Sequence, residues 1–216
     1  MLSKIFNWFK IERSTKPSKE LNEFLAAKDL DDLLRLSSVV KNLSEKDNQF
    51  VRKILKDWNG KQAISNLLFY PNIIPSDIRA KVLVRGLNEQ KTIYYNLAAI
   101  VGVQNYQYFS TANEDTNWLK MKLFQFVKDT EDIRAMRATS ALQNKITKED
   151  LPKIIECGSN NYEGIRTNLI AMIVQLYGKE NIEAQLIKHE IEYPKESKLL
   201  MKEWKRQIIA HILLIS

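Results

Sequence analysis

Apolar residues recur at three- and four-residue spacing along almost the whole chain after residue 18, and no segment alternates apolar and polar with the period of a strand. β-Branched runs bounded by Asn-Gly or Asp-Gly turns are absent, so hairpins of strand have no signal either. The pattern predicts helices near 19–28, 30–42, 45–58, 61–70, 76–87, 89–103, 115–128, 131–143, 148–157, 162–177, 180–190 and 195–214. Starts and stops agree with this map. Thr147 and Asp150 precede Leu151, Ile154 and Ile155 as a capping box with Asp in place of Glu. Ser76 precedes Asp77 and an apolar run, and Asp129 or Thr130 precedes the next. Gly60, Gly86, Gly158 and Gly178 follow helical patterns and read as their ends. Pro71, Pro75, Pro152 and Pro194 fall in first turns or between helices.

Many short helices with short connections predict stacked antiparallel hairpins rather than a four-helix bundle, which needs fewer and longer ones. Three segments superimpose: DIRAKVLVRGL (77–87), DIRAMRATSAL (132–142) and GIRTNLIAMIV (164–174). Each carries Ile-Arg near its start and apolar residues at helical spacing after it. QFVRKILKDW (49–58) and EWKRQIIAHIL (203–213) are looser copies, with Arg52 and Arg206 in similar places. Over roughly residues 45 to 214 the chain resembles the HEAT-repeat family, with Asp132, Ile133, Arg134, Ala138 and Leu142 matching its second-helix pattern best. The resemblance implies an all-α, HEAT-like α-solenoid and implies nothing about a reaction. Uneven spacing, and a stretch 88–115 that fits no unit, leave an irregular all-α domain as the other reading.

The chain has 216 residues and a net charge of +7, with one cysteine, six glycines and five prolines. Its apolar content excludes a disordered chain, and a lone Cys157 excludes a disulfide scaffold or zinc ribbon. No apolar run approaches the ~20 residues of a membrane span. The cytoplasm is the default compartment. In residues 1–10, Leu2, Ile5, Phe6 and Phe9 share one helical face, and residues 1–20 hold five positive and two negative charges. We therefore divide the chain into an amphipathic basic leader and linker, 1–18, and a single all-α helical-repeat domain, 19–216. The leader is either a mobile or docked segment or a helix lying on an anionic membrane surface.

Catalytic chemistry has no support in the sequence. His189 and His211 have no partner at metal-ligand spacing, and no Gly-rich phosphate loop is present. Cys157 sits at a helix C-terminus, where the dipole disfavours a thiolate. The carboxylates at 114–115 and 131–132 belong to first helical turns. We expect no cofactor, no metal and no small-molecule site. Two surfaces remain. Residues 92–113 are uncharged, and Tyr106, Tyr108 and Phe109, with Trp118 beyond, have the composition of a partner-contacting loop or of rings packed in a core. Lys195, Lys198, Lys202 and Lys205 form one stripe on the last helix, which with Arg134 and Arg137 could neutralise phosphates. Residues 109–216 nevertheless hold 16 positive and 15 negative charges, so this excess is diffuse. The expected function is a non-enzymatic protein-interaction module, an adaptor or an inhibitor such as a bacterial toxin-immunity-type binder. The alternative is a nucleic-acid-binding HEAT-like protein using a basic face, related to DNA repair.

Overall fold

Among the described residues the apolar periodicity becomes helix. A computed structural model describes residues 16–90, 92–105, 114–129, 133–143 and 145–215, the side chains of 114–116 and 211–215 excepted. Among these there are twelve α-helices and no strand. They are α1 (Lys19–Ala26), α2 (Leu30–Val39), α3 (Glu45–Asp57), α4 (Lys61–Phe69), α5 (Ser76–Leu87), α6 (Ile93–Asn105), α7 (Glu114–Asp129), α8 (Ile133–Leu142), α9 (Leu151–Glu156), α10 (Glu163–Tyr177), α11 (Ile182–Lys188) and α12 (Pro194–Ile215). Short 3-10 turns occupy Pro71–Ile73, Lys148–Asp150, Cys157–Ser159 and Lys179–Asn181. None of the described helices is long and apolar enough to cross a membrane. The leader residues 1–10 lie outside the described residues.

Contacts divide the chain into two units, Met1–Gly102 and Val103–Ser216. In the first, α4 packs on α1, α3 and α5, and α1 also packs on α2. Its core holds Leu21, Phe24, Ile64, Leu67, Leu68, Leu83 and Ile100. The side chains of Ser18, Asp29 and Ser44 accept from backbone N–H groups of α1, α2 and α3, satisfying donors that the first turn leaves unpaired. In the second unit α7 packs on α8, α8 on α10, and α10 on α9, α11 and α12. Its core includes Leu119, Leu123, Leu142, Ile154, Ile165, Leu169 and Ile173.

The capping box read at Thr147 and Asp150 is present, on the 3-10 turn that leads into α9. Buried Asp150 also forms an ion pair with half-buried Lys120 of α7 at 2.8 Å, tying two elements together. The helix ends differ from expectation at three glycines. The left-handed residue after α3 is Trp58 (φ 50°), and Gly60 is the N-cap of α4. A bulky residue rarely adopts that conformation. Here the indole is held by the Arg85 guanidinium 4.0 Å above it, by the edge of Tyr95, and by a hydrogen bond to Glu89 of 3.1 Å. Gly86 lies inside α5, where a Cβ would meet Leu68 and Ala99. Gly158 lies in the 3-10 turn under Leu200. Gly178 ends α10 as expected, with φ 81°.

The repeated Ile-Arg has a local role. Arg79 is the fourth residue of α5 and donates from Nε and Nη2 to the Ile74 carbonyl and from Nη2 to that of Asn72. Arg166, fourth in α10, donates to the Asn160 carbonyl at 2.6 Å. Both guanidiniums reach back to the loop that enters their helix and satisfy carbonyls that no helix bonds. Ser76, read as an N-cap, is instead the first residue of α5, and Pro75 takes the cap position.

Candidate functional site

Helix α7 has apolar residues on more of its circumference than a core requires. Leu119, Leu123, Phe126 and Val127 are buried, and they form the side that packs inward. Trp118 and Met121 stand outside that arc, one turn apart, and are 38% and 45% exposed. Gln125 and Lys128 continue the same stripe at helical spacing. Together with Lys153 and Glu156 of α9 they surround a groove of about 420 Å³. Buried Phe124 and Cys157 also line it.

The polar rim is partly preorganised. Lys128 Nζ contacts Glu156 Oε1 at 2.5 Å, linking α7 to α9, and this bond raises the lysine's pKa. Lys122 Nζ donates to Gln125 Oε1 at 2.8 Å. Three lysines (122, 128 and 153) and two acids (Asp129 and Glu156) line the groove, so the rim carries both signs with a cationic surplus. Its single thiol is chemically quiet. Burial pushes Cys157 up to about 12, and its Sγ lies 3.5 Å from the Phe124 carbonyl. The groove offers an aromatic face, a pliable thioether and charged edges.

Of the residues singled out in the sequence, Trp118 is in this groove. Tyr106, Tyr108 and Phe109 lie outside the described residues. Met121 was missed, although its spacing of three from Trp118 on a helix already saturated with core residues is the signal. Trp204 and Ile208, on the apolar side of α12, line a second groove of about 410 Å³ with Ile170, Ala171 and Val174 of α10. Neighbouring Glu203 is buried and accepts from Arg206, Gln207 and Thr167. Burial works to raise its pKa, and those three bonds outweigh burial and hold it below the usual glutamate range.

Lys195, Lys198, Lys202 and Lys205 are all exposed on α12, as their spacing predicts. Lys198 is 3.7 Å from Glu190. Arg134 and Arg137 are on α8. Arg134 is half-buried, its guanidinium 5.8 Å from the Phe126 ring centroid, and Arg137 is exposed. Arg206, beside the lysine stripe, is engaged by Glu163 and Glu203. Among the described residues no group of three or more His, Cys, Asp and Glu side chains could hold a metal ion.

Compared with known proteins, the chain matches no family model, no curated protein and no solved structure.

Proposed function

We propose that the protein is a non-enzymatic interaction module, HEAT-like in its succession of helical hairpins, that acts as an adaptor or inhibitor by binding a protein at the α7–α9 groove. One observation carries this reading. Trp118 and Met121 are exposed together at the mouth of a groove whose floor is apolar and whose rim is charged. Tryptophan is the residue most often found to dominate an interface, and a thioether beside it adapts to the partner's shape. The repeat reading is supported by Arg79 and Arg166, which perform one task at one position of two helices.

The test is affinity capture from native lysate with and without nuclease, using the wild-type chain and the double variant Trp118→Ala, Met121→Ala. A stoichiometric protein that survives nuclease and is lost from the variant supports the proposal. Equal capture by both chains removes the groove from consideration. A second reading, nucleic-acid binding, draws on the exposed lysine row of α12. It requires nucleic acid in the captured fraction and a shallower salt dependence for Lys198→Ala, Lys202→Ala.

A further inference from the structure

A different face of the second unit combines features that fit a copy of itself. Helices α11 and α12 enclose a small cavity of about 170 Å³, lined by Leu186, Ile187, Glu190, Ser197, Lys198 and Met201. Leu186, Ile187 and Met201 give it an apolar side. Ile187 is 60% exposed at its edge, and Ile191, one residue beyond the lining Glu190, is 95% exposed. A β-branched aliphatic side chain standing almost wholly in water is the protruding feature of this surface, and the cavity is its recess. Glu190 and Lys198 add one charge of each sign at the recess, paired 3.7 Å apart within one copy, the lysine exposed and the glutamate half-buried. Ser197 is buried there, and its hydroxyl has no hydrogen-bond partner.

A two-fold interface sets one patch against the same patch, so it must contain its own complement. This patch does. It holds a knob and a recess, and an anion and a cation, within sixteen residues (186–201) of one corner.

We propose that the α11–α12 corner is the contact of a two-fold homodimer. Ile191 of each copy enters the recess of the other, and Glu190 of each faces Lys198 of the other. The recess is small, about 170 Å³, so we expect weak self-association, with a Kd in the range of about 10 µM to 1 mM. This inference is independent of the α7–α9 groove, which lies on other elements.

Sedimentation equilibrium of the full chain across that concentration range tests it. The wild-type mass should rise from monomer towards dimer, and Ile191→Asp should stay monomeric with an unchanged circular dichroism spectrum. Glu190→Lys and Lys198→Glu should each weaken association by at least tenfold, since each places like charges in contact twice. The double swap Glu190→Lys, Lys198→Glu should restore it. A wild-type chain that remains monomeric up to 1 mM, or a dimer indifferent to Ile191→Asp and to the charge swaps, overturns the proposal.

Discussion

Gly102 of α6 meets the backbone of Leu68 in α4 so closely that a Cβ at position 102 would stand 1.9 Å from the Leu68 carbonyl oxygen. Backbone cannot step aside as a flexible side chain can, so the two helices must separate before any side chain fits. Gly102→Ala should cost about 3 kcal/mol, at the upper end of overpacking penalties. Gly164→Ala is the control, because a Cβ there makes only ordinary contact with Tyr162 at 3.5 Å. Urea unfolding of both variants decides the matter. Equal stability of Gly102→Ala and wild type would mean that α4 and α6 do not approach in this way.

Asn96 closes a helix end from another helix. Its buried side-chain amide donates to the carbonyls of Gly86, Leu87 and Glu89 at 2.9–3.2 Å, where α5 runs out of its own donors. Asn66 does the same for α1, donating to Phe24, Leu25 and Ala27, and Asn160 donates to Val127 near the end of α7. Asn96→Leu keeps the branched outline and removes the donors, which should cost about 2 kcal/mol for the carbonyls that lose this partner. Asn96→Asp, which also cannot donate when ionised, should be at least as damaging at neutral pH. Chemical denaturation of the pair separates lost donors from lost packing.

Gly102 and Asn96 act through partners that local sequence does not name. Helix number and order are carried by apolar periodicity, and Leu119, Leu123 and Val127 illustrate why: a three-four rhythm admits one secondary structure. The Thr147–Asp150 box is likewise local, since its partners are three residues apart. Gly102 and Asn96 have the same local appearance as any glycine or asparagine in a helix. Their meaning lies in Leu68 and Gly86, on other helices, and no short-range pattern names those partners. Asn96 left a trace, as a polar residue inside a charge-free apolar run. Gly60 and Gly86 misled because the glycine signal does not distinguish a turn from a close approach. At the groove, Trp118 was legible as an aromatic outside the charged surface. Met121 was hidden by a helix whose apolar residues serve two sides at once.

Glu203 ties stability to acid. Its carboxylate has a pKa lowered in the folded state, where burial opposes ionisation and the bonds from Arg206, Gln207 and Thr167 prevail. A depressed folded pKa stabilises the fold above the unfolded value, about 4.3. That contribution is lost as pH falls through the folded value. Asp47 follows the same sign: burial raises it, and hydrogen bonds from Ser18 and Ser44 lower it further than burial lifts it. Denaturation midpoints measured from pH 7 down to pH 3 should therefore decline below about pH 4. Glu203→Gln should be less stable than wild type at pH 7 and should lose part of its deficit on acidification. A deficit that grows as pH falls contradicts the assignment.

Cys157 gives a direct readout of the packing beneath the candidate groove. It is the one cysteine of the chain, so any thiol label reports a single site. Two effects suppress its reactivity. Burial excludes the reagent, and a pKa pushed up to about 12 leaves about one thiolate in ten thousand at pH 8. Reaction then proceeds through openings that expose the sulfur, between α7 and the turn that follows α9. Native protein should react with a disulfide reagent orders of magnitude more slowly than the same protein in denaturant. A native rate near that of free cysteine would show that Phe124 and its neighbours do not cover the thiol. A partner seated between Trp118 and Lys153 closes the same route, so saturating partner should slow the labelling further. Trp118→Ala should abolish that protection without raising the unliganded rate, because the indole is at the groove's exposed mouth and the thiol is buried.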